Sequence, residues 1–324
     1  MQATGQRVVI TGAGSGLGRE LALRYAREGA RLALADINED GLKETRQLVA
    51  DAGGWSFSQR CDVRDYSQLA ALAQSCEERF GGVDVLINNA GVASGGMFWD
   101  LSLEDWDFQI GINLIGVVKG CKAFMPLLLA QGNGRIINIA SMAAHIQTPG
   151  MSNYNVAKAG VVALSESLLA ELQPLGIKVS VVCPSFFQTN LLDSYHGPDH
   201  QSKNDMAKLL QSSPISAQEV ADITYRESEA DQFMILPHER GRLALEQKRA
   251  DPQVIYQEMF KLAARRLEQS SKLSSRSAQA HACAPQIALY HAGLLCLPHA
   301  VWTLCCATLV VEAIDERCHP FTSV

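Results

Sequence analysis

Basic residues are in the minority in this sequence. Lys and Arg number 28 against 34 Asp and Glu, giving a net charge of −6 and a pI near 5.8, and no basic cluster occurs. This argues against nucleic acid or an anionic membrane face as the main partner, so the expected ligand is small. Cysteine is sparse over most of the length: only Cys61, Cys76, Cys121 and Cys183 precede residue 270, at spacings that fit neither a zinc site nor a C-x-x-C redox pair. These four read as small core residues in a reducing compartment, with no metal expected. No leader is expected, because Met1 is followed almost at once by the strand-like R-V-V-I-T of residues 7–11. Secretion is therefore not expected, and the cytoplasm is the expected location. No repeat at solenoid periods occurs.

What is present is ample apolar content, 47% of 324 residues, enough for one large packed domain or two small ones. Apolar, β-rich runs at 7–11, 31–35, 84–88, 135–140 and 177–183 alternate with longer helical patterns at 17–28, 39–52, 66–80, 104–130 and 153–173. A weaker strand fits at 55–60, and F-M-I-L-P after Asp231 offers a last one. Such alternation implies parallel strands joined by crossover helices. The expected fold is α/β: a doubly wound, Rossmann-type parallel sheet with helices on both faces.

The first loop, T-G-A-G-S-G-L-G at residues 11–18, directly follows a strand and opens a helix. Glycines at 12, 14, 16 and 18 let the backbone turn sharply and approach a pyrophosphate, whose charge is favoured by free N–H groups at the helix start. A flexible Gly-rich turn is the competing reading. The second strand ends in L-A-L-A-D, placing Asp36 eighteen residues beyond Gly18. Its carboxylate can accept from both ribose hydroxyls of an adenosine and would repel a 2′-phosphate, which selects NAD over NADP. Uncharged Ser15 and Ile37 support that choice, since neither offers a cation to a phosphate. A solvated Asp capping the next helix is the plainer alternative. Asp62, in the C-D-V of residues 61–63, is placed to meet the adenine edge. The N-N-A-G of residues 88–91 closes the fourth strand with small residues, and Asn113 sits within a long apolar helix where it needs a partner or a purpose.

The stretch from Ser141 to Lys158, S-M-A-A-H-I-Q-T-P-G-M-S-N-Y-N-V-A-K, carries the chemistry. Tyr154 and Lys158, four apart in a helical segment, share one face. At an effective dielectric of about 20 and a separation of about 5 Å, an ammonium favours phenolate by roughly 3 kcal/mol, or about two pKa units. The expectation is a tyrosine moved towards working pH, able to exchange a proton with an alcohol or ketone. Ser141 ends an apolar run and would stand at a strand's carboxyl end, its hydroxyl within reach of a substrate oxygen. A Y-x-x-x-K pair alone also occurs by chance in many helices.

Taken in order, residues 11–18, Asp36, Asp62, residues 88–91, Asn113, Ser141, Tyr154 and Lys158 resemble the short-chain dehydrogenase/reductase family, main type, over residues 5–270. The resemblance implies an NAD-dependent oxidoreductase that passes hydride between nicotinamide and a secondary alcohol or ketone. Within it Tyr154 would be the general acid/base, Ser141 would orient the substrate oxygen, Lys158 would bind the nicotinamide ribose and lower the tyrosine pKa, and Asn113 would hold a water in a proton relay. Cofactor contacts are implied at Gly12, Gly14, Ser15, Gly16, Leu17 and Gly18, at Asp36, Ile37, Asp62 and Val63, and at Asn89, Ala90 and Gly91. Tyr154, Lys158, Pro184, Phe187 and Thr189 complete that set. One departure follows the sixth strand. Where the family usually has Pro-Gly and then Thr, this sequence reads P-S-F-F-Q-T, with Ser185 in the glycine position, so the loop backbone is expected to differ.

Specificity is expected from residues 186–215, whose Phe186, Phe187, Leu191, Leu192 and Tyr195 suggest a lid over an apolar substrate. Ser141, Ala143, His145, Tyr154, Phe186 and Leu191 are the expected substrate contacts, with His145 and Gln147 adding polar ones. Two rival functions remain: a 3-oxoacyl- or steroid-type carbonyl reductase, and an NAD-sensing protein without catalysis. The latter would be expected to have lost Tyr154 or Lys158. The helices at 104–130 and 153–173 are apolar over much of their surface, so a homodimer or homotetramer is expected.

From Ser270 the composition changes. S-S-K-L-S-S-R-S-A-Q-A reads as a polar linker between a domain at 1–270 and a C-terminal extension at 271–324. The extension carries the other five cysteines and a charge-free stretch at 277–311, whose part 287–311 is long enough to cross a bilayer yet contains His291, Pro298 and His299. Membrane anchor, packed segment at a subunit contact and poorly ordered appendage all fit; the appendage is preferred, and membrane contact is expected only if the extension anchors.

Overall fold

A computed structural model describes residues 5–189 and 194–282. The chain falls into two units, Met1–Leu267 and Glu268–Val324. In the first, seven parallel strands, β1 (Arg7–Thr11), β2 (Arg31–Asp36), β3 (Trp55–Arg60), β4 (Val85–Asn88), β5 (Gly134–Ile139), β6 (Ile177–Val182) and β7 (Met234–Ile235), stand in the order β3-β2-β1-β4-β5-β6-β7. The fold is thus the doubly wound α/β sheet that the alternation implied. Because both faces of a parallel sheet are covered, its strands are apolar at successive positions rather than at every second one. In β1, Val8 and Ile10 pack into the core shared with Leu21 and Tyr25 of helix α1 (Gly16–Arg27), while Val9 faces the opposite core with Leu72 and Phe124.

The order reverses at β1, which pairs with β2 on one side and β4 on the other. A crevice opens there beyond the strand ends, and ligands bind at such switch points. Helix α1 makes the first crossover, and α2 (Glu39–Asp51) and α3 (Tyr66–Phe80) make the next two. Helices α2 and α3 are capped from their preceding residues, Asn38 accepting from Gly41 N–H and Asp65 from Ser67 N–H.

Three features differ from the sequence reading. The single helix expected at 104–130 is α4 (Leu103–Ile110), a π-helical turn (Gly111–Ile115) and α5 (Gly116–Gln131). This run is long and apolar enough to cross a membrane by composition, but here it packs against the domain through α3 and α6 (Ser152–Leu172). The segment expected as a loop at 186–215 contains α7 (His200–Gln211), whose buried Met206 and Leu210 lie four residues apart on one face. After α8 (Ala217–Glu229) and α9 (Glu239–Ala250), the stretch read as a polar linker is instead the end of α10 (Pro252–Ala282). Nothing between Gln253 and Ala282 is Gly or Pro, so no residue stops the helix there. The proposed span at 287–311 and the five late cysteines lie outside the described residues.

Candidate active site

The carboxyl ends of β1 to β6 border a cleft of about 1290 Å³. Its floor is the first glycine turn. Gly12 and Gly16 adopt positive φ, 67° and 52°, which L side chains rarely take. A Cβ on Gly18 would stand 2.0 Å from the Gly12 carbonyl oxygen, so helix and loop meet at a distance only glycine permits. Ser15, the residue before α1, makes no side-chain cap, leaving the first N–H groups of that helix to a ligand in the cleft. Asn89 fastens the turn: its amide donates to the carbonyls of Thr11 (3.0 Å) and Gly12 (3.1 Å), while the Thr11 hydroxyl accepts from the N–H groups of Asn89 and Ala90.

At the adenosine end, Asp36 accepts from Gly14 N–H and Asn38 N–H, both at 2.9 Å, so each carboxylate oxygen is oriented at the cleft edge. Asp62 is clasped by Arg64 at 2.7 Å, and that hydrogen bond holds its carboxyl below the usual range. The sequence reading had no cation near this pocket, but Arg19 lines it. Its guanidinium donates to the Gly14 carbonyl at 2.7 Å and to Glu44 at 2.6 Å. Helical spacing hid this contact, since Arg19 reaches back across the glycine turn from α1.

At the other end stand Ser141, Tyr154 and Lys158. Parallel pairing of β5 with β6 puts Ser141 at the strand ends, where its hydroxyl accepts from Ala143 N–H (3.1 Å) and donates to the Pro184 carbonyl (3.4 Å). Tyr154 and Lys158 emerge from the first two turns of α6 and are 8% and 4% exposed. The Lys158 ammonium donates to the Ile139 carbonyl at 2.9 Å and lies 5.8 Å from the Tyr154 ring centre. The spacing argument therefore brings the right groups together but gives the wrong sign for the phenol. Burial raises the Tyr154 pKa and the Ser141 hydroxyl lowers it, burial prevailing. Burial also pushes Lys158 down, to about 8. For each group, removal from water outweighs what its neighbours return.

Asn113 sits in the π-helical turn and does not line the cleft. Its side chain is used twice on one residue, accepting from Val92 N–H (2.9 Å) and donating to the Val92 carbonyl (2.8 Å). Gly91 must remain small beside it: a Cβ there would lie 2.8 Å from the Asn113 oxygen. His145 also lies behind the wall rather than in it, its ring 3.6 Å from the Cys183 sulfur and its pKa lowered mainly by burial. Gln147 accepts from Lys248 at 2.6 Å and donates to the Ala144 carbonyl. Leu17, Ile37, Val63, Ala90, Ala143, Pro184, Phe186, Phe187 and Thr189 line the cleft, whereas Leu191 and Leu192 fall outside the described residues. Ser185 needs no left-handed backbone, because Asp231 is the only non-glycine with positive φ among the described residues. Sequence reasoning missed Phe108, Met151, Met206, Leu210, His196 and the α9 residues Arg240, Gly241 and Ala244, all of which also line the cleft. None carries a motif. The pairing of Met206 with Leu210 was the only available signal.

The cleft fits a nicotinamide dinucleotide: it has free helix N–H groups above a glycine turn, a carboxylate for a ribose, and a Tyr-Lys-Ser group at the far end. Such a fold and cleft define a protein of the dinucleotide-binding class. A family model described as short chain dehydrogenase matches residues 6–198, and the chain belongs to that family, whose members use a nicotinamide cofactor. It is 39% identical over 194 residues to the probable oxidoreductase EphD of Mycobacterium tuberculosis (strain ATCC 25618 / H37Rv), covering 59% of this chain and 33% of that protein. The chain thus spans about a third of that relative's length. Oxidoreductase UcpA of Salmonella typhimurium is 36% identical over 216 residues, 64% of this chain and 81% of that one. A short chain dehydrogenase/reductase from Burkholderia phymatum, solved in complex with NAD, superposes with a TM-score of 0.74 at 33% identity, covering 78% of this chain and 96% of that one.

Proposed function

We propose that this protein is an NAD-dependent dehydrogenase acting on an apolar secondary alcohol or the corresponding ketone, with Tyr154 as general acid/base. The observation that carries this reading is the polarity of the cleft, with an oriented Asp36 carboxylate at one end and buried Tyr154, Ser141 and Lys158 at the other. The NAD-bound relative supports the cofactor assignment. A bound nicotinamide supplies the acceptor or donor of hydride.

The chain's own residues do the rest. Asp36 accepts from ribose hydroxyls and repels a 2′-phosphate. Ser141 holds the substrate oxygen beside the phenol. Tyr154, its pKa raised by burial, keeps its proton at neutral pH and donates it to a carbonyl oxygen as the alcohol forms. In the reverse direction the phenolate, favoured by the Lys158 ammonium that is charged below about pH 8, takes the alcohol proton and returns to the phenol. Around them Met151, Phe186, Tyr195 and Met206 make an apolar wall, which suits a hydrocarbon substrate.

The raised phenol favours one second reading, a carbonyl reductase of the 3-oxoacyl or steroid type. A screen of secondary alcohols and their ketones with NAD and NADP, in both directions, tests the proposal through the absorbance of reduced nicotinamide. Turnover of apolar alcohols at least tenfold better with NAD is expected. NADP preference, or no turnover of any alcohol or ketone, would reject it.

A further inference from the structure

His238 lies three residues beyond β7 and carries no motif. The pairing of β6 with β7 brings it to the same sheet edge as the segment after β6, since Cys183 N–H donates to the Ile235 carbonyl at 2.8 Å. There the imidazole is only 7% exposed, and both of its nitrogens are spent on consecutive residues of that segment. Nδ1 accepts from Ser185 N–H at 3.1 Å, and Nε2, which therefore carries the proton, donates to the Phe186 carbonyl at 3.1 Å. The ring also stands 6.2 Å from that of Phe187.

His238 is at the same time the N-cap residue of α9, a position that favours Ser, Thr, Asp or Asn, and its side chain makes no cap hydrogen bond there. The helix forgoes its cap, and the side chain goes to the loop. That loop continues the site directly: the Pro184 carbonyl accepts from Met142 N–H at 2.8 Å and from the Ser141 hydroxyl, while Phe186, Phe187 and Thr189 line the cleft.

We propose that His238 is a positioning residue for the active site, its imidazole clamping Ser185 and Phe186 so that residues 184–189 stand as a fixed wall beside Ser141 and Tyr154. The wall's role in turnover rests on the function proposed above; the clamp does not. The imidazole neutralises two backbone groups that would otherwise be left unpaired at a half-buried site, and each such bond is worth roughly a fivefold change in local opening.

Three substitutions separate the two bonds from the ring. H238F keeps the ring's bulk and loses both bonds, H238N keeps an acceptor near Nδ1, and H238Q keeps a donor near Nε2. Amide hydrogen exchange of the cofactor-free full chain is read over residues 184–189 and over β1 to β5, and steady-state kinetics are read alongside. H238F should speed exchange across 184–189 by about tenfold or more while β1 to β5 stay protected, and raise KM for the substrate about tenfold with kcat changed less than about threefold. H238N should restore protection at Ser185 only. Should H238F fail to fold, H238N and H238Q each still remove one bond: H238Q should lose protection at the Ser185 amide, while H238N, which loses only the bond to the Phe186 carbonyl, should keep Ser185 protected and still raise KM. Unchanged exchange at 184–189, or exchange raised equally throughout the sheet, would overturn the clamp. Changed exchange with KM unaltered in an active enzyme would overturn its role in positioning. If the wild type turns over no alcohol or ketone, the proposed function fails while the exchange arm still decides the clamp.

Discussion

Lys158 is the residue whose energetics depart most from what its position in the sequence suggests. Its ammonium is buried with one carbonyl partner, and burial holds its pKa at about 8, against an ordinary 10.5. Between these values the folded state binds fewer protons than the unfolded chain, so stability rises with pH across that window and is lost as pH falls through about 8. The difference corresponds to about 3 kcal/mol of cost at neutral pH, reduced by the bond to Ile139. Lys158→Met is therefore expected to raise unfolding stability by about 2 kcal/mol near neutral pH while abolishing turnover, the gain shrinking as pH rises towards about 10.5. Denaturant unfolding of both proteins across that range checks this, and a methionine variant less stable than wild type near neutral pH would refute it. The Tyr154 and Lys158 pairing was legible because helical periodicity alone sets it. The direction of the phenol's shift was not, because desolvation depends on burial by Phe186, Tyr195 and Met206, which lie far away in sequence.

At the scale of elements, boundaries were legible where local chemistry sets them and obscure where a distant contact does. Strands β1, β2, β4, β5 and β6 announce themselves as apolar runs, whereas β3, W-S-F-S-Q-R, does so only weakly. The π-helical turn does not, because it accompanies Asn113 reaching across to the backbone of Val92. Helix α7 was hidden for the opposite reason: Leu210 and Met206 are its only buried apolar residues among those described, too few for periodicity to stand out in a polar segment. The outer surfaces of α5 and α6, with the π-helical turn, leave Leu129, Val156 and Ile115 between 40% and 50% exposed. We expect these helices to pair between copies of the chain. Light scattering should then read a dimer or tetramer, and Val156→Glu should shift it to a smaller species; a monomeric wild type would contradict the pairing.

For the whole molecule, the doubly wound sheet was legible because a parallel sheet covered on both faces leaves a simple record: continuous apolar strands separated by amphipathic helices. The same topology explains why the site draws on six strand ends, since those from β3 to β6 in the sheet order all open on one edge. The cleft wall made by α9 was not legible, as it depends on β7 returning the chain to that edge. The central claim is that Tyr154 handles the proton at a cleft built to hold NAD. Tyr154→Phe tests it most directly, measured for NAD binding by calorimetry and for turnover of the best wild-type substrate. The account predicts NAD affinity within about threefold of wild type and turnover lower by about 10³-fold. Turnover at the wild-type rate in the Phe variant would contradict it.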